Sequence, residues 1–119
     1  MEIRCERVYE WTPVDGVFPV LVDRLWPRGM KKERLAGVFW DKDIAPTPEL
    51  RRDFHSGALG FAEFSRRYVA ELEQAAASDE LIATARGAGA SAIVLLYAAK
   101  DEEHNHALVL ADYLRALAG

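Results

Sequence analysis

Two segments of the chain bring together residue types that bind ions and move protons. Asp23-Arg24-Leu25-Trp26-Pro27-Arg28-Gly29 follows the apolar run Val20-Leu21-Val22, and Lys100-Asp101-Glu102-Glu103-His104-Asn105-His106 follows Ile93-Val94-Leu95-Leu96-Tyr97. Arg24 and Arg28 each offer a planar fork of donors suited to carboxylate or phosphate. Lys100 adds a point charge, and Trp26 has a face on which a ring can stack. Asp23, Asp101 and His104 are the candidates for acid–base work, His104 because imidazole is the side chain whose charge changes near neutral pH. A third segment, Trp40-Asp41-Lys42-Asp43-Ile44-Ala45-Pro46, supplies another wall and, in Asp43, another acid. Tyr97 has two open roles, as core with a satisfied hydroxyl or as a donor pointing into the site.

Each of these residues also has a purely structural role to weigh. Asp23 and Arg24 are able to pair with each other or with neighbours, and Trp26 to cap the core. Asp101 suits the N-cap of a helix with Glu102 and Glu103 in its first turn, where acids complement the helix dipole. Three carboxylates there disfavour an anion resting on that helix start. His104 and His106, two apart on a helix, point to nearly opposite sides and make a poor chelate, so no metal is assigned. There is no GxGxxG or GxxxxGK[ST] after either apolar run and no GxSxG turn. Cys5, the only cysteine, lies far from both polar segments and reads as a small core hydrophobe. No covalent nucleophile is evident, so any catalysis rests on acid–base chemistry by Asp23, Asp43, Asp101 or His104. The residues name no cofactor.

The elements that position these segments are legible from hydrophobic pattern. Val20–Val22 and Ile93–Tyr97 are continuous and rich in β-branched residues, the pattern of strands covered on both faces of a mostly parallel sheet. Ile3, Cys5 and Tyr9 suggest a half-exposed strand near the N-terminus, and Val38-Phe39-Trp40 a short one. Thr47-Pro48-Glu49 combines an N-cap, Pro at the first helical position and an acid, predicting a short helix to about Phe54. Phe61, Phe64, Tyr68, Leu72 and Ala75 form one apolar stripe over a helix from about 61 to 77. A further helix spans about 79–86, and the last about 101–117 with Ala107, Leu110, Ala111, Leu114 and Leu117 buried. Strands separated by helices argue for one three-layer α/β domain over residues 1–119, a small mostly parallel sheet flanked by helices. In such sheets ligands bind outside the carboxyl ends of the strands. If the two apolar strands are parallel neighbours, both polar segments open onto one crevice.

Composition narrows the field. The chain has 119 residues, 50% hydrophobic and 29% charged, with a formal net charge of −4. That balance argues against a coat for nucleic acid or anionic membrane. The single cysteine fits a reducing compartment, the N-terminus has no apolar signal-peptide core, and no run approaches the roughly twenty residues of a membrane span. A soluble, cytoplasmic protein is expected.

The strings VLVDRLWPRG (20–29), WDKDIAPTPELR (40–51), FAEFSRRYVAEL (61–72) and LLYAAKDEEHNHALVL (95–110) cover nearly the whole chain and resemble, in order, the YeaO-like branch of the domain of unknown function 488 family. The resemblance implies a small cytoplasmic prokaryotic α/β protein and brings no agreed reaction. Relatives in the broader family often end the second strand in Cys and carry a Cys-His-Arg run on the next helix. Here Tyr97 and Asn105-His106-Ala107 stand at those positions, so a thiol mechanism does not carry over.

The leading functional reading is a small-molecule enzyme or ligand-binding domain for an anionic compound, phosphate- or carboxylate-bearing with a nucleotide as one option, held by Arg24, Arg28 and Lys100 beside Trp26 or Tyr97. A second reading is a non-catalytic interaction or regulatory module, self-associating or partner-binding, with Trp11, Trp26 and Trp40 as an exposed patch. A third is nucleic-acid binding through Arg24, Arg28, Lys31, Lys32 and Arg34, which the net charge disfavours.

Overall fold

The two continuous apolar runs become the two interior strands. The computed structural model describes residues 1–119. Strands β1 (Glu2–Arg7), β2 (Val17–Leu21), β3 (Phe39–Trp40) and β4 (Ala92–Tyr97) form one sheet in the order β1-β4-β2-β3, every pairing parallel. Four helices follow the strands: α1 (Pro48–His55), α2 (Phe61–Glu73), α3 (Ala77–Gly87) and α4 (His106–Ala118).

Both faces of the sheet are covered, which explains why its central strands are apolar throughout. On one face Ile3, Val20, Ile93 and Leu95 meet Phe64, Tyr68, Leu81 and Leu110 of the helices. On the other, Leu21, Val94 and Leu96 meet Val8, Trp11, Met30 and Leu35. That second outer layer is built of the 3-10 turns Val8–Glu10 and Lys32–Leu35 and irregular chain. The expected three layers are present, with α-helix confined to one of them.

Pro19 sits inside β2 without breaking it, and the register shows why. Val22 donates its N–H to Leu96 on the β4 side, and the Leu21 carbonyl accepts from Asp41 N–H on the β3 side, each at 3.0 Å. Residues of odd number in β2 therefore face β3. Pro19 has no N–H to offer there, and β3 begins only opposite Val20, so no ladder bond is lost.

The chain path makes the site. From β2 it moves outward to β3 beneath the Met30–Leu35 layer, then returns over the opposite face through α1, α2 and α3 to β4, which inserts between β1 and β2. A single hand of crossover demands opposite faces when the direction of travel reverses. After β4 the chain turns away again, and α4 packs against β1. The exits of β2 and β4 thus diverge, leaving a crevice at the switch point.

Several features differ from expectation, β2 among them, which runs Val17–Leu21 rather than 20–22. The helix predicted over 61–77 ends at Glu73, and Ala75 is exposed beyond it. Leu72 and Leu81 are both buried. In one continuous helix their separation would be roughly two and a half turns, placing them on opposite sides, and the break at 74–76 restores both to the core. The last helix starts at His106, not near Asp101. Asn105, 2% exposed, is its N-cap and accepts from Leu108 N–H at 3.0 Å. Asp101 instead closes a local turn, accepting from the N–H groups of Glu103 and His104 at 2.9 and 3.0 Å, the chemistry that makes Asp a turn residue. At the other end of α4, Leu117 is exposed at 42% rather than buried, one turn past Leu114, the last fully buried residue of the helix.

Candidate functional site

Over the carboxyl ends of β2 and β4 lies a cleft of about 980 Å³. The loop after β2 contributes Asp23, Arg24, Trp26 and Arg28, the loop after β4 contributes Lys100, Asp101 and His104, and α1 contributes Arg51, Phe54 and His55. Arg7 and Tyr9, at the end of β1, and His106, at the start of α4, complete it. The two polar segments share one hollow because their strands are parallel neighbours.

Several of these side chains are committed to the fold. Arg24 donates to the carbonyls of Pro46 and Ala45, each at 3.3 Å, pinning the approach to α1 against the β2 loop. Arg7 donates through Nε to Ala99 O at 3.1 Å and lies over the Tyr9 ring, 4.9 Å from its centroid. Tyr9 in turn donates its hydroxyl to Arg28 O at 2.9 Å. Trp26 donates Nε1–H to Met30 O at 2.8 Å and packs edge-on against Trp40, which donates to Asp23 O at 2.7 Å. These bonds fix the β2 loop on a rigid base.

At the centre Asp23 Oδ2 accepts from Ala98 N–H at 3.0 Å. Its other oxygen lies 3.0 Å from His106 Nε2, which is also 3.0 Å from Val22 O. Two acceptors around one ring nitrogen require Nε2 to carry the hydrogen. The N–H is aligned with the Val22 carbonyl, leaving the buried Asp23 Oδ1 at contact distance without a hydrogen of its own. His104 Nδ1 faces Asp101 Oδ2 at 3.1 Å, and its ring meets Phe61 edge-on at 5.3 Å. The Glu103 and His104 backbone N–H groups hold the exposed Asp101 carboxyl below its usual range, with the His104 ring assisting. His55 is held below the ordinary histidine value, first by burial and then by Arg51 and His106, with Asp23 opposing. All three histidines of the chain line this cleft.

Arg28, Arg51 and Lys100 are different. They line the cleft, and none has an ion-pair partner or a side-chain hydrogen bond within the protein.

Of the residues singled out in the sequence, Asp23, Arg24, Trp26, Arg28, Lys100, Asp101 and His104 line the cleft. Asp43 and Tyr97 do not. Asp43 is exposed in the 3-10 turn Lys42–Ile44. Tyr97, 4% exposed, shares the face of Ile93 and Leu95 and belongs to the core under the helices. The expected tryptophan patch is absent: Trp11 is 4% exposed, and Trp26 and Trp40 are half-buried against each other. Arg34, one of the expected basic face, donates to the Trp11 carbonyl at 3.2 Å. Sequence reasoning missed Arg7, Arg51, His55 and His106 as cleft residues. His106 had a signal, Asn105 followed three residues later by an apolar residue, which marks Asn105 as a cap and His106 as the first helical position.

No group of three or more His, Cys, Asp or Glu side chains is arranged to hold a metal ion. Cys5 does not line the cleft; it donates its S–H to Ala107 O at 3.3 Å, and burial pushes its thiol up to about 11. At pH 8 its alkylation is expected to be roughly a hundredfold slower in the folded protein than in denaturant, because the thiolate is the reactive form. A thiol-quench time course checks this, and equal rates would show Cys5 to be accessible and ionised. The folded thiol holds its proton more tightly than the unfolded one at 9.0, so its contribution to stability is complete below pH 9 and is lost as pH rises toward 11.

Fold and site together define a parallel α/β domain with a polar, cation-bearing cleft at its switch point. The family model described as the inactive DUF488-N3 subclade matches residues 2–118, and the chain belongs to this family. It is 46% identical over 117 residues to the uncharacterized protein YeaO of Escherichia coli (strain K12), covering 98% of this chain and 100% of that one. It is 39% identical over 112 residues to the uncharacterized proteins Mb3100c of Mycobacterium bovis and Rv3073c of Mycobacterium tuberculosis, covering 94% of this chain and 92% of each. No solved structure matches significantly. No helix is long and apolar enough to cross a membrane.

Proposed function

We propose that the protein is a non-catalytic binding domain for a small anionic compound, phosphate- or carboxylate-bearing, acting in the cytoplasm. The observation that carries this reading is the set Arg28, Arg51 and Lys100, three cations turned to one cleft with no carboxylate partner. A protein of net charge −4 has acids enough to neutralise them, so their isolation favours a ligand of opposite sign. A cleft with low-dielectric walls and one sign of charge concentrates such ligands. Binding without turnover is favoured by the family's description as inactive and by Cys5, which lies outside the cleft lining with its thiol pushed up by burial. Asp23 and Arg24 are already engaged with the backbone.

The test is calorimetric titration at low salt with inorganic phosphate, AMP and citrate. Saturable binding of at least one is expected. The triple variant Arg28→Gln, Arg51→Gln, Lys100→Gln is expected to lose affinity by roughly tenfold for each charged contact removed, with an unchanged melting temperature because none of the three side chains has a partner in the fold. Equal affinity in the triple variant, or no binding of any of the anions, would sink the reading.

A further inference from the structure

Arg28, Asp23 and Arg51 of the cleft belong to three successive layers of the fold. Arg28 stands on the side of the 3-10 layer, where the Tyr9 hydroxyl holds its carbonyl and Tyr9 and Trp26 pack against the smaller core. Arg51 stands on the opposite side, on α1, next in the fold to Phe54 of the larger core and to His55. Between them, over the end of β2, the Asp23 carboxylate is anchored by Ala98 N–H. By layer, the order Arg28, Asp23, Arg51 is positive, negative, positive, and Lys100, on the loop after β4, is the third free cation of the cleft.

One compact anion is poorly served by this arrangement. To reach both arginines it would have to lie over Asp23, where like charges repel strongly in a crevice of reduced dielectric. We infer that the ligand is elongated, anionic at both ends and uncharged in its middle, and that it lies across the carboxyl edge of the sheet with one end on Arg28 and the other on Arg51. The two arginines belong to layers that stack on opposite faces of one sheet, about 10 Å from it in ordinary packing, so the anionic ends are separated by a sugar-sized spacer or more. The cleft volume is ample for a compound of that size. This inference rests on the anion-binding reading and narrows it to a class of ligand.

Four probes test it by calorimetry: inorganic phosphate, pyrophosphate, fructose 6-phosphate and fructose 1,6-bisphosphate. The 1,6-bisphosphate is expected to bind at least about tenfold more tightly than the 6-phosphate, because engagement of the second end becomes intramolecular. Arg28→Gln and Arg51→Gln should each erase that advantage, bringing the 1,6-bisphosphate down to the affinity of the 6-phosphate for the same variant. Pyrophosphate, with two phosphate groups but short, should not share the advantage. Equal affinity for the 6-phosphate and the 1,6-bisphosphate, or pyrophosphate binding as tightly as the long bisphosphate, would overturn the two-ended ligand while leaving an anion site in place. Failure of all four to bind would remove the anion reading itself.

Discussion

Truncation of Phe64 to alanine is expected to lower the stability of the fold by about 3–5 kcal/mol, the cost of removing a buried aromatic ring and leaving a cavity. Phe64 is 1% exposed and lies at the junction of site and core. Its ring is stacked on Phe54 at 4.3 Å and lies 6.3 Å from Phe61 and 5.9 Å from Tyr68. These contacts join α1 to α2, and α1 carries Arg51 and His55. Tyr68, fully buried, ties the same layer to the segment before α1 by donating its hydroxyl to Ile44 O at 2.6 Å. Urea unfolding measures the change as a lower midpoint at an unchanged slope. Phe64→Leu, which keeps most of the volume, should cost about 1–1.5 kcal/mol. A loss below about 1 kcal/mol in the alanine variant would mean that the aromatic cluster is not packed as described.

Asp23 is expected to affect stability and binding in opposite directions. In Asp23→Ala the Ala98 N–H loses its acceptor in a half-buried position, at a cost of about 1–3 kcal/mol, and His106 loses the carboxylate beside it. Asp23→Asn keeps an oxygen for Ala98 N–H and should be the milder substitution. The same Asp23→Asn removes a carboxylate charge from the cleft that Arg28 and Arg51 line, and its affinity for phosphate should rise roughly two- to tenfold, the scale of one charge at close range in a screened cleft. Denaturant unfolding and calorimetry on one preparation give both numbers. Phosphate affinity that does not rise in Asp23→Asn would place the anion away from this carboxylate and against the charge pattern argued above.

The parts of the fold that follow from local chemistry were legible. Val20 to Val22 and Ile93 to Tyr97 read as buried strands because continuous apolar, β-branched runs have no other economical place. Thr47-Pro48 marked the start of α1, and the cap is formed: the Thr47 hydroxyl oxygen accepts from Leu50 N–H while its O–H donates to Glu71. The placement of charge after each interior strand pointed to the cleft. Tyr97 was not decidable, since a strand buried on both faces gives no alternation to show which residues face which layer. His104 and His106 exchanged importance because the competing caps Asp101 and Asn105 differ in burial, which sequence does not record.

Sequence by itself determined the elements, their order and the loops that hold the polar residues, because hydrophobic period, capping and turn chemistry act within a few residues. Only the tertiary structure decided which charges stay free. Arg24 and Arg28 are four residues apart and chemically the same, yet one is bound to the carbonyls of Ala45 and Pro46 and the other is open to the cleft. Arg51 joins them from a helix more than twenty residues on. The availability of a cation depends on which backbone carbonyls and carboxylates come within reach once the sheet order β1-β4-β2-β3 is set, and that order is fixed by contacts between residues far apart in the chain.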